Sequence, residues 1–313
     1  MRNQYKKKIL VAGSLNMDCV VETPHIPQAG ETVSGRTVSF IPGGKGANQA
    51  YTAGRLGGRV KMLGAVGRDD FGQALRDNLR EAGVDVSEIY VLEKESTGQA
   101  FITIDDTGEN SIIVIPGANG ALTPELIRQN EEDLIQMIEK SDIVVMQLEI
   151  PLETVLYVKE LAASLHKFII IDPAPALSNI PDDFWKGIDY IKPNETELSI
   201  LTGKHMKTHE EIIDGARIML EKGVKNVIVT LGGKGCMLVN HDLEQLFEAP
   251  RVKAVDTTAA GDCFTAAFAL ALAEGNSCFE AIVFGQAASS IAVTRKGAQT
   301  SIPTREEVMS AIK

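Results

Sequence analysis

Short apolar runs alternate with helical patterns along almost the whole chain, and this alternation limits the fold more than any other feature of the sequence. Each run is four or five residues long and contains no charged residue. Such runs are typical of strands buried on both faces, as in a parallel sheet. They are Ile9–Ala12, Met62–Val66, Ile143–Met146, Phe168–Ile171 and Val227–Thr230.

The segments between these runs carry apolar residues at helical spacing. One helix is predicted to begin at Thr123 and Pro124, an N-cap followed by proline in the first turn. Capping boxes predict two more helices, at Thr208 and at Thr304. The alternation of strands and helices indicates a layered α/β fold. The stripe of the Thr123 helix is Ile127, Leu134, Ile135 and Ile138, and that of a further helix is Val158, Leu161, Ala162 and Leu165.

Two segments, at about residues 19–40 and 100–115, interrupt the alternation with strand-like pieces and no helix. The first contains Cys19–Glu22 and Thr32–Phe40. The second reads as a hairpin, with Ala100–Ile104 and Ser111–Ile115 on either side of a polar turn. We interpret the two segments as one small sheet, possibly a lid, although two unrelated surface hairpins fit the pattern nearly as well.

Composition excludes several classes of function. With 31 basic and 42 acidic residues the formal net charge is −11, which argues against nucleic acid as a partner because phosphate backbones require a basic surface. The four cysteines are scattered without a CxxC pair, as expected of reduced thiols in a cytoplasmic protein. No apolar stretch is long enough for a signal peptide core or a membrane span. We expect one domain over residues 1–313.

The first of three glycine-rich segments is Pro42-Gly43-Gly44-Lys45-Gly46-Ala47-Asn48-Gln49-Ala50. Glycines allow a backbone to approach a ligand closely, and Asn48 and Lys45 supply an amide and a cation. The pattern favours a polyol cradled before a helix start, over a simple tight turn. The second segment, Thr230-Leu231-Gly232-Gly233-Lys234-Gly235, follows a predicted strand. It suits either a nucleotide at the carboxyl end of a parallel sheet or a plain hairpin turn.

The third segment, Asp256-Thr257-Thr258-Ala259-Ala260-Gly261-Asp262, carries the strongest signal. It leads into Cys263–Ala273, which is apolar on all sides and therefore predicted to be buried. The N–H groups and dipole at such a helix start bind anions. A carboxylate beside them is placed to take a proton from an attacking hydroxyl during phosphoryl transfer. Asp262 is therefore the candidate catalytic base.

At these residues the sequence resembles the ribokinase (PfkB-type carbohydrate kinase) family, over Leu10 to about Pro303. Gly43–Ala50 is similar to the family's first signature, and Asp256–Phe264 is similar to its second, which is highly specific. The amino-acid sequence of residues 294–299 is typical of the members that phosphorylate ribose. The resemblance implies a doubly wound, mostly parallel α/β sheet flanked by helices, with a small β lid that commonly pairs two subunits. It implies transfer of phosphate from ATP to O5 of D-ribose, giving ribose 5-phosphate and ADP.

The resemblance also assigns site residues. Asp262 would be the base, and the backbone of Ala259, Ala260 and Gly261 the anion hole. The sugar would be held by Asn16, Asp18, Gly44, Lys45, Gly46, Ala47, Asn48 and Glu149. Mg²⁺ and the ATP phosphates would lie at Asn194 and Glu197, and the nucleotide would border Thr230, Leu231, Gly232, Gly233, Lys234, Gly235, Gly261 and Gln286. A K⁺ site would comprise Asp256, Thr258, Ala292, Arg295, Gly297 and Ser301, mostly through backbone carbonyls.

Two positions depart from the family pattern. Residue 259 is Ala where many members have Gly, which narrows the backbone freedom of the anion hole. Gln286 stands where an Asn often touches the nucleotide, which leaves that contact open. Structural alternatives also remain: Asp18 as the cap of a lid strand, Glu149 as a helix N-cap acid, and Asn194 as a plain N-cap.

Other functions are less well supported. A nicotinamide-dependent dehydrogenase requires Gly-x-Gly-x-x-Gly after the first strand, and residues 11–16 contain one glycine. A catalytically silent sugar sensor would be indicated by loss of Asp262 or of the anion hole, and both are present. Among kinases, 2-deoxyribose, fructose and nucleosides remain alternative substrates.

Overall fold

The computed structural model describes residues 8–312. In this range a nine-stranded sheet has the order β13-β12-β11-β10-β9-β8-β1-β4-β5 and is parallel except at β12 and β13. All five predicted apolar runs lie in its strands. Its strands are β1 (Lys8–Ala12), β4 (Arg59–Gly67), β5 (Val84–Leu92), β8 (Ile143–Met146), β9 (Phe168–Ile171), β10 (Tyr190–Ile191), β11 (Asn226–Thr230), β12 (Cys236–Asn240) and β13 (Glu244–Phe247).

Helices cover both faces of this sheet, so the predicted doubly wound α/β fold is confirmed. Along β1, Ile9 and Val11 belong to one apolar core, and Leu10 and Ala12 belong to the other. The helices are α1 (Lys45–Arg55), α2 (Asp70–Glu81), α3 (Ala118–Ala121), α4 (Pro124–Arg128), α5 (Glu131–Glu139), α6 (Leu152–Ser164), α7 (Glu195–Thr202), α8 (His209–Glu221), α9 (Ala260–Ala273), α10 (Cys278–Ala292) and α11 (Arg305–Ala311).

The two irregular segments form one small sheet, as predicted, rather than separate hairpins. Its four strands have the order β3-β2-β6-β7. The predicted start of its edge strand at Thr32 is wrong: β2 ends at Glu22, which pairs with Thr37, so β3 begins at Thr37. The preceding residue, Arg36, donates one backbone hydrogen bond to the Glu22 carbonyl at 2.8 Å. The strands are β2 (Asn16–Glu22), β3 (Thr37–Gly43), β6 (Gly98–Ile104) and β7 (Asn110–Ile115).

The helix predicted from Thr123 is two helices, α4 and α5. Asn130, with φ −128° and ψ 46°, leaves the helical region and begins a second helix. Asparagine favours such positions because its side chain competes for backbone hydrogen bonds. Ile127, Leu134 and Ile138 are nevertheless all buried, so the predicted apolar stripe faces the core across the break.

Candidate active site

The carboxyl ends of the parallel strands open onto a cavity of about 590 Å³. Parallel α/β sheets bind ligands at this edge. Strands β9, β10 and β11 bring Asp172, Lys192 and Thr230 to the cavity, α1 brings Lys45, and α9 brings Asp262. Residues more than 200 positions apart in sequence therefore meet at one edge of the sheet.

Asp262 lies in the first turn of α9 and is 5% exposed. Both of its carboxylate oxygens accept amide hydrogen bonds: Oδ2 from Asn48 Nδ2 at 2.9 Å and Oδ1 from Gln49 Nε2 at 3.0 Å. Two such donors fix the plane of the carboxylate. The remainder of α9 is almost entirely buried, as the sequence predicts.

The segment Ala259-Ala260-Gly261 forms the start of α9. The first N–H groups of a helix have no intrahelical acceptor and can bind an anion. The Ala260 N–H also donates to the Thr257 carbonyl at 3.2 Å. Ala259 is held at φ 58° and ψ 8°, in the left-handed region that usually favours glycine. The substitution noted in the sequence therefore carries backbone strain at the anion hole.

Two buried lysines bring positive charge to the same cavity. Burial disfavours the Lys45 ammonium, but the carboxylates led by Asp262 and Asp172 outweigh this and raise its pKa. Lys192 lies 2.9 Å from Asp172 Oδ2 and 3.4 Å from the Gly261 carbonyl oxygen. Lysine ammonium groups beside a helix N-terminus suit a polyphosphate.

Sequence reasoning missed both Lys192 and Asp172. Each follows an apolar strand, in Tyr190-Ile191-Lys192 and Ile170-Ile171-Asp172, so a charge placed directly at a strand end was the available signal.

Asp18 and Glu149 form an acidic side of the site, close to Asp262 but not among the residues that line the cavity. Burial, followed by the nearby charges of Glu149 and Asp262, raises the pKa of Asp18 to about 7. Gly43 is needed here, since a Cβ at this position would stand 2.2 Å from Asp18 Oδ2. Burial likewise raises the pKa of Glu149, against the opposing charge of Lys45.

Glu149 does not cap the helix that follows it in sequence. It accepts the Lys45 backbone N–H at 2.9 Å and the Ser14 hydroxyl at 2.6 Å, so it caps the start of α1. The turn-only interpretation of the first glycine segment is wrong for the same reason, because Gly44 is the N-cap of that helix at φ 85°. The segment thus begins a helix whose first residues face the acidic side.

Asn16 is fixed by Asn119, a residue that the sequence analysis did not identify. Asn119 donates to Asn16 Oδ1 at 2.8 Å and to the Leu15 carbonyl at 3.0 Å, and it accepts the Leu15 N–H at 2.9 Å. Asn119 belongs to the short helix α3, which the periodicity of the sequence did not reveal.

Asn194 and Glu197 form a reciprocal capping box that opens α7, which agrees with the structural alternative for Asn194. Both residues nevertheless line the cavity. Burial raises the pKa of Glu197, while Lys192 opposes this effect. A capping role and a ligand-facing position therefore coexist in this pair.

The second glycine segment is a hairpin turn, and it also lies at the cavity where a nucleotide was predicted. It is the turn of an antiparallel hairpin between β11 and β12, and four of its residues line the cavity. Those are Thr230, Gly232, Gly233 and Gly235. Leu231 is buried beneath them and Lys234 is exposed, so neither is among the lining residues. Gln286 lines the cavity, but its amide donates to the Phe247 carbonyl at 2.9 Å.

The residues assigned to a K⁺ site meet only in part. Asp256 accepts hydrogen bonds from the Thr258 N–H and the Gly297 N–H, both at 2.9 Å, and these outweigh partial burial and lower its pKa. The side chain of Arg295 pairs with Glu307 instead. Ala292 accepts the Arg295 N–H at 3.0 Å, and the Ser301 hydroxyl donates to the Ala298 carbonyl at 2.7 Å.

Two features, a metal-binding cluster and a membrane-spanning helix, are absent from residues 8–312. No cluster of three or more His, Cys, Asp or Glu side chains is arranged to hold a metal ion. None of the helices in this part of the chain is long and apolar enough to cross a membrane.

The buried carboxylate of Asp262 thus lies at a helix N-terminus, with the acidic side, Asp18 and Glu149, on one hand. On the other hand lie Lys45 and Lys192, which we call the phosphate side. This is the arrangement of a kinase that acts on a sugar hydroxyl. The model of the pfkB family carbohydrate kinases matches residues 6–305, and the chain belongs to this family.

Named relatives agree with this membership. The chain is 39% identical to a ribokinase of Haemophilus influenzae over 98% of this chain and 99% of the relative. It is 37% identical to a deoxyribokinase of Salmonella typhi over 96% of each. A structure of Arabidopsis thaliana ribokinase complexed with ribose and ATP superposes with a TM-score of 0.92 at 36% identity, over 98% of this chain and 99% of that one.

Proposed function

We propose that the protein transfers the γ-phosphoryl group of ATP to O5 of D-ribose, giving ribose 5-phosphate and ADP. The observation that carries the proposal is the position of Asp262, which has the acidic group of Asp18 and Glu149 close to it on one hand and Lys192, in the cavity lining, on the other. Similarity to ribokinases over nearly the whole chain supports ribose and ATP as the substrates.

In this mechanism Asp262 accepts the proton of the attacking hydroxyl as the bond to phosphorus forms. The backbone of Ala259, Ala260 and Gly261 receives the charge on the phosphoryl oxygens. Lys45 lies between the two sides, because its backbone N–H binds Glu149 and its side chain lines the phosphate side. Hydrogen bonds within the protein hold Asp262 and the Lys45 backbone, which limits the reorganisation required during transfer.

The sugar is proposed to bind through its hydroxyls to Asp18 and Asn16, together with the start of α1. Carboxylate and amide side chains discriminate between hydroxyl patterns because a missing hydroxyl leaves a buried polar group unpaired. The proposed set is Asn16, Asp18, Gly44, Lys45, Gly46, Ala47, Asn48 and Glu149.

The nucleotide is proposed to lie along the second glycine segment and α10, with its phosphates near Asn194 and Glu197. The residues here fit a magnesium ion: Glu197 lines the cavity, and Asp172 Oδ1 is buried with no hydrogen-bond partner among residues 8–312. Magnesium is typically held by one or two carboxylates plus substrate phosphates. When bound, it would neutralise charge on the phosphates.

A potassium ion is proposed near Asp256 and the 294–301 segment. Gly297 is tied to Asp256, so this segment lies against the residues that precede the anion hole. Because the Arg295 side chain pairs with Glu307, Arg295 would contribute only its backbone carbonyl oxygen to the ion. Thr258, Ala292, Gly297 and Ser301 complete the proposed shell.

We further propose one kinase domain, a homodimer formed through the β lid, and a cytoplasmic location. The proposed domain spans residues 1–313, of which 1–7 and 313 lie outside the described residues. The dimer is supported by large exposed apolar side chains on the small sheet, including Phe40, Phe101 and Ile113. The location is supported by four free cysteines, as reducing compartments maintain.

The test is a coupled assay of ADP release across pentoses, hexoses and nucleosides. We expect ribose to give the highest kcat/KM, with 2-deoxyribose as the main competitor because deoxyribokinases are also relatives. Equal kcat/KM for the two sugars would refute discrimination at the 2-position. Activity confined to a hexose or a nucleoside would overturn the assignment of ribose.

A further inference from the structure

The two amides that hold Asp262 are themselves held by further amides. Gln147 donates from Nε2 to Gln49 Oε1 at 2.6 Å. Gln299 donates from Nε2 to Asn48 Oδ1 at 3.1 Å, and Asn78 donates to Gln299 Oε1. Two chains of carboxamides therefore converge on the two oxygens of one carboxylate, from opposite sides of the fold.

The direction of every hydrogen bond in these chains is determined at the carboxylate. An ionised carboxylate only accepts hydrogen bonds, so Asn48 and Gln49 must present their NH₂ ends to it. A carboxamide has nearly the same shape in either orientation, so packing alone does not select one. The second amide reinforces the orientation that the carboxylate selects, because it donates to the carbonyl end of the first.

The Gln49 amide has a second reason to be oriented. Its Nε2 also donates to Asp172 Oδ2 at 3.0 Å, so one NH₂ group binds two carboxylates. A flip would place Oε1 against both acids and remove both bonds. Gln147 is fully buried, and a Cβ at Gly13 would stand 2.0 Å from its Oε1, so Gly13 provides the space that the Gln147 amide occupies.

We propose that Gln147 and Gln299 are positioning residues that orient the base by fixing which end of Gln49 and Asn48 faces it. The proposal rests on the proposed role of Asp262. Neither residue is among the lining residues of the cavity. Gln147 acts through Gln49, which is not in the proposed sugar-binding set, so its effect should fall on the chemical step with substrate binding left intact. Gln299 acts through Asn48, which is in that set, so its replacement should also affect ribose binding.

The experiment replaces Gln147 in two ways. Gln147→Met removes the donor and keeps the length of the side chain, so we expect kcat to fall by about tenfold, the effect of losing one oriented hydrogen bond. Gln147→Glu presents an acceptor to Gln49 and favours the flipped amide, so kcat should fall further than in Gln147→Met. Both KM values should stay within about twofold of wild type.

The matched controls are Gln129→Met and Gln129→Glu, at an exposed glutamine. Gln299→Met tests the second chain, and we expect a smaller loss of kcat because Gln49 binds two carboxylates whereas Asn48 binds Asp262. Should Gln147→Glu fail to fold because of its buried charge, Gln147→Met alone decides the question. Unchanged kcat, or a rise in KM that matches the fall in kcat, would overturn the proposal.

A second readout does not depend on catalysis. The side-chain NH₂ signals of Gln49, assigned in ¹⁵N-glutamine-labelled protein with Gln49→Met, should exchange slowly with solvent in the wild type and faster in both Gln147 variants. If the wild type fails to phosphorylate ribose, the proposed function fails while this exchange still tests the amide chain. Equal protection of the Gln49 NH₂ group from exchange in wild type and variants would overturn the proposed role of Gln147, even if ribose is the substrate.

Discussion

Lys192 holds its ammonium 2.9 Å from the buried carboxylate of Asp172, and the two side chains are only 7% and 1% exposed. The same oxygen of Asp172 accepts hydrogen bonds from Gln49 and from Thr265. Burying an ion pair costs solvation that its attraction often fails to recover. The pair is therefore better explained as a means of placing a fixed cation beside Gly261 than as a source of stability.

We expect Lys192→Met to lower kcat/KM for ATP by about 10- to 100-fold, because a cation facing the phosphates is lost while the apolar stem is kept. Ribose affinity should be nearly unchanged. Steady-state kinetics with each substrate varied would measure both effects. Lys225→Met is the control, since that lysine pairs with Asp189 outside the cavity. A variant with wild-type kcat/KM for ATP would show that Lys192 does not contact the phosphates.

Asp262→Asn should lower kcat by about 10²- to 10⁴-fold, the usual contribution of a positioned general base. The new amide cannot accept the proton, and its NH₂ group must face a donor from Asn48 or Gln49. Calorimetry should show ribose and ATP binding changed far less, since the other cavity residues remain. If the variant retains more than about a tenth of wild-type kcat, the loss is smaller than removal of a general base causes, and Asp262 is not the base.

Asp18 predicts a pH dependence that can be measured without catalysis. In the folded protein it holds its proton to about pH 7, whereas in the unfolded chain it loses the proton near pH 3.8. The folded state therefore binds more protons between these values, and the contribution of Asp18 to stability falls as pH rises across this window. Asp18→Asn removes that penalty, so the variant should gain stability over wild type at pH 8 and not at pH 4.

Ribose binding should have the opposite pH dependence. If the ionised carboxylate accepts the sugar hydroxyls, affinity falls as the pH drops below about 7, by up to about tenfold per pH unit for one linked proton. Titration calorimetry and urea unfolding would follow the two effects. Asp106→Asn is the control, at an exposed lid carboxylate whose hydrogen bond with Arg36 lowers its pKa. Ribose affinity that is constant from pH 5 to pH 8 would exclude this role for Asp18.

The β lid predicts a testable dimer. Phe40, Phe101 and Ile113 lie in one cross-strand row and are 55%, 42% and 63% exposed, and every residue of edge strand β7 is exposed. Ile113→Glu places a charge in this row and should convert a dimer to a monomer in sedimentation velocity. Ile200→Glu, at an exposed apolar residue of α7, should not. A wild type that is monomeric at micromolar concentration with full activity would remove the proposed dimer.

The sequence determined most of the fold because the strands of the large sheet are buried on both faces. Continuous apolar runs such as Ile143–Met146 and Phe168–Ile171 match the strands residue for residue. The edge strand of the lid was harder to bound, because its start at Thr37 depends on where a partner strand ends. Periodicity also did not reveal the break at Asn130, since the apolar stripe continues across it.

Some residues of the site could likewise be predicted from the sequence, and others could not. Asp262 and Lys45 lie in glycine-rich segments whose chemistry is readable locally. Asp172, Lys192 and Gln147 are single polar residues after apolar strands, and their roles arise only when parallel pairing aligns the strand ends. No local pattern could show that Gln49 binds two carboxylates that are 90 residues apart in sequence (262 − 172).

Ala259 gives the last prediction, which concerns strain. A side chain at φ 58° costs about 1–2 kcal/mol relative to glycine. Relief of this strain by glycine is partly offset, because glycine increases the conformational entropy of the unfolded chain, which costs about 0.4–1 kcal/mol. Ala259→Gly should therefore raise the free energy of unfolding slightly, by up to about 1 kcal/mol, whereas the same change at buried helical Ala267 should lower it. Urea unfolding of both variants measures the difference, and equal destabilisation by the two would show that Ala259 is not strained.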